Sequence, residues 1–329
     1  MLDGQCTLTS DILGKTDSRR KDVDTVIVAA DITLVENITA LKSISKKLTG
    51  ASRRIFIIEG RGRLAVVQAY ALGATHVLSN PVMRAQLLAK LVDASLSSSE
   101  PGAGTTQEAA SAGAATIASM FAAVMSGSAI DVAAANHAGG KIAEAIAENG
   151  LSEWLTTVRR HHEGTYQHCL LVTGVAVDFG LSLGLAKADV ERLYSAAMFH
   201  DIGKAKIPLV VLDKPGRLDE KERALIETHP AMGYDVLKAT PGISPEILDA
   251  VRHHHEYLDG SGYPDALCAG SITDLVRILT ISDIFAALIE HRTYKPTMPR
   301  EKAYEILLGM NGKLEPALVG VFKEVALNR

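Results

Sequence analysis

The stretch VERLYSAAMFHDIGKAKIP, residues 190–208, joins a helical pattern to a cluster of polar side chains. Val190, Leu193, Tyr194 and Ala197 recur at three- and four-residue steps, the spacing of a helix with one apolar face. The helix leads to the adjacent pair His200-Asp201, and the turn that follows carries Gly203 and Lys204. A lone His-Asp dipeptide says little. Its setting says more: of eleven histidines, His161, His162, His168, His200, His229, His253, His254 and His255 all fall between positions 161 and 255.

Working outward, His168, His229, His254, His255 and Asp283 lie inside or at the ends of segments with helical periodicity. In 244–255, Ile247, Leu248 and Val251 mark a buried stripe that reaches His254 and His255 one turn later. Ser244-Pro245-Glu246 is a helix start, with an N-cap serine, proline at the first helical position and an early acid. In 272–290, Val276, Leu279, Asp283, Ala286 and Ala287 share a face, so a carboxylate sits in an apolar stripe and must be neutralised or paired. A single buried histidine is more often a hydrogen-bonded core residue than a ligand. Seven imidazoles and carboxylates in an ordered series favour a cluster of divalent metals, with nitrogen for affinity and an anionic oxygen able to bridge. Two metals sharing Asp201 would acidify a water for phosphodiester hydrolysis. His253 is rotated from His254 by ~100° and falls outside this set. His76, His137 and His291 have no ligand context, and His161 and His162 fit either reading.

Phosphate chemistry also needs cations. Lys204, just after the His-Asp pair, is placed to reach a phosphate oxygen. Arg292 and Lys295 follow the helix bearing Asp283, where an ordinary solvated helix end would also carry cations. DGSGYP at 259–264 is a shaped turn that fits either the lip of a site, with Tyr263 packing or hydrogen bonding, or a plain surface turn.

The rest of the chain frames this region. Its 329 residues accommodate about two domains. At 47% hydrophobic and 22% charged the chain can bury a core, and a net charge of −4 gives no general attraction to nucleic acid polymers or anionic lipid. Cys6, Cys169 and Cys268, odd in number and far apart, fit a reducing compartment rather than a disulfide framework. No leader pattern stands at the start, and no apolar run approaches the ~20 residues of a bilayer span, so a cytoplasmic protein without membrane attachment is expected. TVIVAA (25–30), RIFII (54–58) and THVL (75–78) are short strand-like runs, the first two followed by amphipathic segments and the third by RAQLLAKLVDA, which predicts a parallel α/β sheet. GATHVLSNP (73–81) resembles the last strand of a response-regulator receiver domain, with Asn80 where a lysine usually stands and Asp31 about two residues beyond the acceptor position. A truncated receiver-like domain over 20–93 is the reading, with an unrelated α/β interaction module as the alternative. Residues 94–114, rich in Ser, Gly, Ala and Thr, read as a flexible linker. From 115 to 329 the pattern is all-helical.

HDIGKAKIP (200–208), KPGRLDEKE (214–222), HPAMGYDVL (229–237), HHEYLDGSGYP (254–264), ISDIFAAL (281–288) and RTYKP (292–296) together resemble the HD-GYP family of bacterial cyclic di-GMP phosphodiesterases. The resemblance covers about 115–329 in order, and DGSGYP after HHE is its most specific part. It implies an HD-type helical bundle hydrolysing cyclic di-GMP to pGpG, with GMP as a further product. It implies the ligand set His168, His200, Asp201, His229, His254, His255 and Asp283, with Lys204, Arg292 and Lys295 contacting phosphate or guanine. Some members carry a glutamate four residues before the first histidine for a third metal; Gly164 stands there, so two metals, iron or manganese, are expected. A protein partner would dock through the N-terminal domain or the GYP turn, and a homodimer is the expected assembly. Two competing readings are a signalling adaptor that binds the dinucleotide without turnover, and an HD-type hydrolase of another nucleotide.

Overall fold

The computed structural model describes residues 25–32, 34–48, 51, 53–59, 69, 72–74, 76–82, 87, 103–161, 165–212, 214, 216–290 and 297–328. The chain divides into two compact units, Met1–Leu96 and Ser97–Arg329.

In the first unit, strands β1 (Thr25–Ala29), β2 (Arg53–Glu59) and β3 (His76–Asn80) form a parallel sheet in the order β1-β2-β3. The register pairs Ile27 with Ile55 and Ile57 with Leu78. Parallel neighbours need a crossover, and helix α1 (Val35–Leu48) supplies the first. Val28, Phe56 and Ile58 from the strands pack with Leu41, Ala69 and Leu72 in one core. The expected α/β class is borne out. Asn80 ends β3 with its amide nitrogen donating to Glu59 Oε1 at 2.9 Å.

The second unit is helical, as expected, but it starts earlier than composition suggested. Helix α2 spans Ala103–Ser126, so the second half of the stretch read as a linker is helix. Alanine is the strongest helix former, and small side chains let helices approach closely. Ala109, Ala110 and Ala114 are buried, and a Cβ on Gly113 would meet Leu170 Cδ2 at 2.6 Å. The expectation that no apolar run approaches membrane-spanning length is also corrected: Thr105–Ser126 is long and apolar enough by length and composition, but half of that window is buried within the protein, as in a core helix.

Helix α3 (Val132–His161) is interrupted at Gly150, where φ is 79°. Helix α4 follows over Thr165–Ser182 and α5 over Lys187–Phe199. A 3₁₀ turn at Ile202–Lys206 leads into the short helices α6 (Leu209–Leu212) and α7 (Glu220–Ile226). Helices α8 (His229–Leu237), α9 (Pro245–His253), α10 (Asp274–Ile289), α11 (Arg300–Gly309) and α12 (Pro316–Leu327) complete the unit. Ser244 Oγ caps α9 by accepting from Ile247 N at 3.3 Å, as its sequence predicts. Helix α12 buries Val319, Phe322 and Val325. The core between α3 and α4 centres on Trp154, whose indole nitrogen donates to the Leu170 carbonyl at 3.0 Å.

Candidate metal centre

Helix ends converge on one buried point. His168 projects from the first turns of α4, and His200 and Asp201 stand where α5 gives way to the 3₁₀ turn. His229 opens α8, His254 and His255 follow α9, and Asp283 lies mid-way along α10 among Val276, Leu279 and Ala286. All seven are buried except His255, whose side chain is 21% exposed.

Asp201 sits between two groups of donors. Its Oδ1 is 3.1 Å from His229 Nε2, while its Oδ2 is 3.5 Å from His200 Nε2 and 3.7 Å from His168 Nε2. On one side, the ligand atoms of His168, His200 and Asp283 all lie within 4.8 Å of one another; on the other, those of His229, His254 and His255 do the same. His229 Nε2 and His254 Nε2 approach to 3.2 Å, and Asp283 Oδ1 is 2.9 Å from His168 Nε2.

The outward nitrogens explain the orientation of three rings. His200 Nδ1 lies 2.7 Å from the Ala197 carbonyl, His229 Nδ1 2.8 Å from Ile226, and His254 Nδ1 2.8 Å from Val251. A proton held there leaves each Nε2 lone pair facing the centre. His200 Nε2 is buried with no hydrogen-bond partner among the described residues, which an apolar or purely structural site would not tolerate without cost and which a cation would satisfy. The donor set, imidazole nitrogens with two carboxylates, suits divalent first-row metals.

Protonation states agree. Burial pushes Asp201 upward, but the Lys204 ammonium and the His200 and His229 rings hold it well below the usual carboxylate range. Asp283 is likewise held down by His168 despite burial. Burial, with neighbouring rings adding to it, drives His254 well below the usual imidazole value; burial takes His255 to about 3. Ionised carboxylates and neutral imidazoles are the forms a cation requires; His168 departs from this, because against burial Asp283 raises its pKa.

Lys204 Nζ donates to Asp201 Oδ2 at 2.6 Å and its side chain remains 21% exposed, so it stands at the rim. The Tyr263 ring lies against His255 with centroids 4.7 Å apart and a tilt of 31°, and the Tyr263 backbone N–H donates to the His255 carbonyl at 3.2 Å. The GYP turn is therefore part of the site's wall. Gly262 makes this possible: a Cβ there would lie 2.5 Å from Glu256 Cα and Tyr257 N. Arg292 and Lys295 lie outside the described residues, as do His162 and Gly164. His253 is turned away, bridging Asp249 Oδ1 at 2.7 Å and Asp265 Oδ2 at 2.9 Å, in keeping with its exclusion from the ligand set.

Two acidic residues were given no role in the sequence reading. Glu256 is buried and accepts from the backbone N–H of Asp265 at 2.6 Å and of Leu267 at 3.0 Å, tying the GYP turn to the end of α9. Its place directly after His254-His255 was the available signal. Glu290, buried just past α10, has its Oε2 3.8 Å from His168 Nδ1.

Comparison with known proteins agrees with this geometry. The family described as HD domain matches residues 141–318. A cyclic di-GMP phosphodiesterase of Pseudomonas aeruginosa is 31% identical over 210 residues, covering 63% of this chain and 50% of the relative. The cyclic di-GMP phosphodiesterase response regulator RpfG of Xanthomonas campestris is 40% identical over 134 residues, 40% of this chain and 35% of the relative. The chain thus spans half or less of the length of these curated relatives. A solved HDG"Y"P protein of Bdellovibrio bacteriovorus superposes with a TM-score of 0.56 at 18% identity, covering 74% of this chain and 78% of that one, and so shares the fold.

Proposed function

The chain belongs to the HD domain family, and on that premise we propose that it is a metal-dependent phosphodiesterase opening cyclic di-GMP to linear pGpG. The observation that carries this reading is Asp201, a buried carboxylate whose two oxygens face separate groups of histidines. His168, His200, Asp201 and Asp283 would hold one divalent ion, and Asp201, His229, His254 and His255 a second, with iron or manganese the best match to the donors. Bound there, the ions supply charge neutralisation of the phosphodiester and lower the pKa of a water.

The chain's own residues do the rest. Asp201 and Asp283 bring two negative charges to a site that must accept an anionic substrate, and Lys204 adds a cation at its rim. Tyr263, lying against His255, gives the rim a flat aromatic face suited to a nucleobase. Arg292 and Lys295 follow α10 and are assigned to phosphate or guanine. The names of the relatives favour cyclic di-GMP, and a cytoplasmic location fits a second-messenger substrate.

Protein loaded anaerobically with Mn²⁺ or Fe²⁺ is expected to convert cyclic di-GMP to pGpG, read by chromatography of the products, with two ions per chain by elemental analysis. Asp201→Ala should abolish turnover. Wild-type protein inert with both metals would end the proposal, and dinucleotide binding without product would replace it with the adaptor reading. Faster cleavage of a mixed guanine-adenine cyclic dinucleotide would reassign the substrate.

A further inference from the structure

An imidazole that ligates through Nε2 carries its proton on Nδ1, and a buried Nδ1–H needs an acceptor. His200, His229 and His254 each sit at a helix boundary and find one in the carbonyl three residues back. His168 has no such recourse. It lies in the first turns of α4, where the carbonyls are committed to the helix, and its Nδ1 is buried without a hydrogen-bond partner among the described residues. The Glu290 carboxylate faces that nitrogen at 3.8 Å. Glu290 is buried at the point where α10 ends, with φ −61° and ψ 134°, and Arg159 Nη2 fixes the preceding residue by donating to the Ile289 carbonyl at 3.1 Å. His168 Nε2 lies 2.9 Å from Asp283 Oδ1, so a proton shared there occupies the side a cation would take. Ligation through Nε2 would displace a proton from that nitrogen and leave the ring's N–H on Nδ1, facing Glu290.

We propose that Glu290 is a positioning residue that accepts from His168 Nδ1, fixes the ring's tautomer and angle, and strengthens the metal site formed with His200, Asp201 and Asp283. The inference rests on the reading of His168 as a ligand. A carboxylate behind a metal-bound imidazole raises its basicity, and loss of such a partner typically weakens metal binding by about 10–100-fold.

The test is Mn²⁺ binding by competition with a chelator, on wild type, Glu290→Met, Glu290→Gln and His168→Ala, with the thermal midpoint of each metal-free protein as a check on folding. Methionine keeps the volume and removes the acceptor; glutamine keeps a neutral acceptor oxygen. Expected are two equivalents for wild type and one for H168A. E290M should retain two, one of them weakened about 10–100-fold, with E290Q in between. Wild-type affinity at both sites in E290M, while H168A loses one, would overturn the role of Glu290 alone. Two tight equivalents in H168A would overturn the ligand reading and this inference with it. Equal weakening of both sites in E290M alongside a lowered metal-free midpoint would mark Glu290 as structural.

Discussion

At the scale of single residues, Lys204 has two competing anions. Burial lowers the ammonium's pKa, but the Asp201 charge and hydrogen bond raise it further than burial depresses it, so the group stays cationic. When Asp201 is engaged by cations, its attraction for Lys204 weakens and an anionic phosphate becomes the better partner. Lys204→Met should therefore leave two metal equivalents in place while kcat for the cyclic dinucleotide falls about 10²–10³-fold, the usual cost of one lost donor to developing phosphoryl charge. Unchanged kcat with intact metal content would remove Lys204 from the reaction. Lys204 was legible in the sequence because it stands three residues after Asp201, where a tight turn keeps both on one side. Glu290 was not, because its partner His168 lies on another helix and nothing local links the two.

Among elements, the critical contact is between the 3₁₀ turn and α8. A Cβ on Gly203 would lie 2.0 Å from the His229 carbonyl oxygen and 2.5 Å from Gly233 N. Backbone thus rests directly on backbone, and this brings Asp201 Oδ1 within 3.1 Å of His229 Nε2. Gly203→Ala must push the two elements apart. We expect a loss of about 1–3 kcal/mol or more in a urea titration, as for other overpacked interiors, together with loss of the metal equivalent that needs His229. Wild-type stability and stoichiometry in G203A would show the contact to be dispensable. The helices that carry His254, His255 and Asp283 were readable because apolar residues at three- and four-residue steps point the polar side chain inward. Helix α2 was misread because Ala, Gly, Ser and Thr describe a solvated tether and a close-packed helix equally well; what separates them is the tertiary contact of Gly113 with Leu170. The GYP turn, open between wall and surface in the sequence, was resolved by the fit of Gly262 against residues 255–257.

For the molecule as a whole, a centre of buried histidines makes the metal-free protein sensitive to acid. Folding depresses the pKa of His254, His255 and His200 below the imidazole value of 6.5, with His255 at about 3. Such groups bind fewer protons folded than unfolded, so their contribution is complete above pH 6.5 and is lost progressively as pH falls. Asp201 and Asp283, also depressed, extend the loss to lower pH. His168 opposes this: its pKa is raised, chiefly by Asp283 against the effect of burial, so it favours the folded state below 6.5. Three depressed imidazoles outweigh two raised ones, His168 and His253, the latter lifted by Asp249 and Asp265 against burial, each bounded by about 1.4 kcal/mol per pH unit. Trp154, the single tryptophan, is fully buried between α3 and α4, so its fluorescence follows the helical unit alone. With chelator present, the urea midpoint read from Trp154 should fall between pH 7 and pH 5. Saturating Mn²⁺ should raise it at pH 7, because a ligand bound only to the folded state stabilises by mass action. That increment should shrink toward pH 5, where protons compete for the imidazoles that hold the ion. Equal midpoints for the chelated protein at both pH values would mean that the folded bundle takes up protons as readily as the unfolded chain, and that His200, His254 and His255 are not held in the neutral form that cation binding needs.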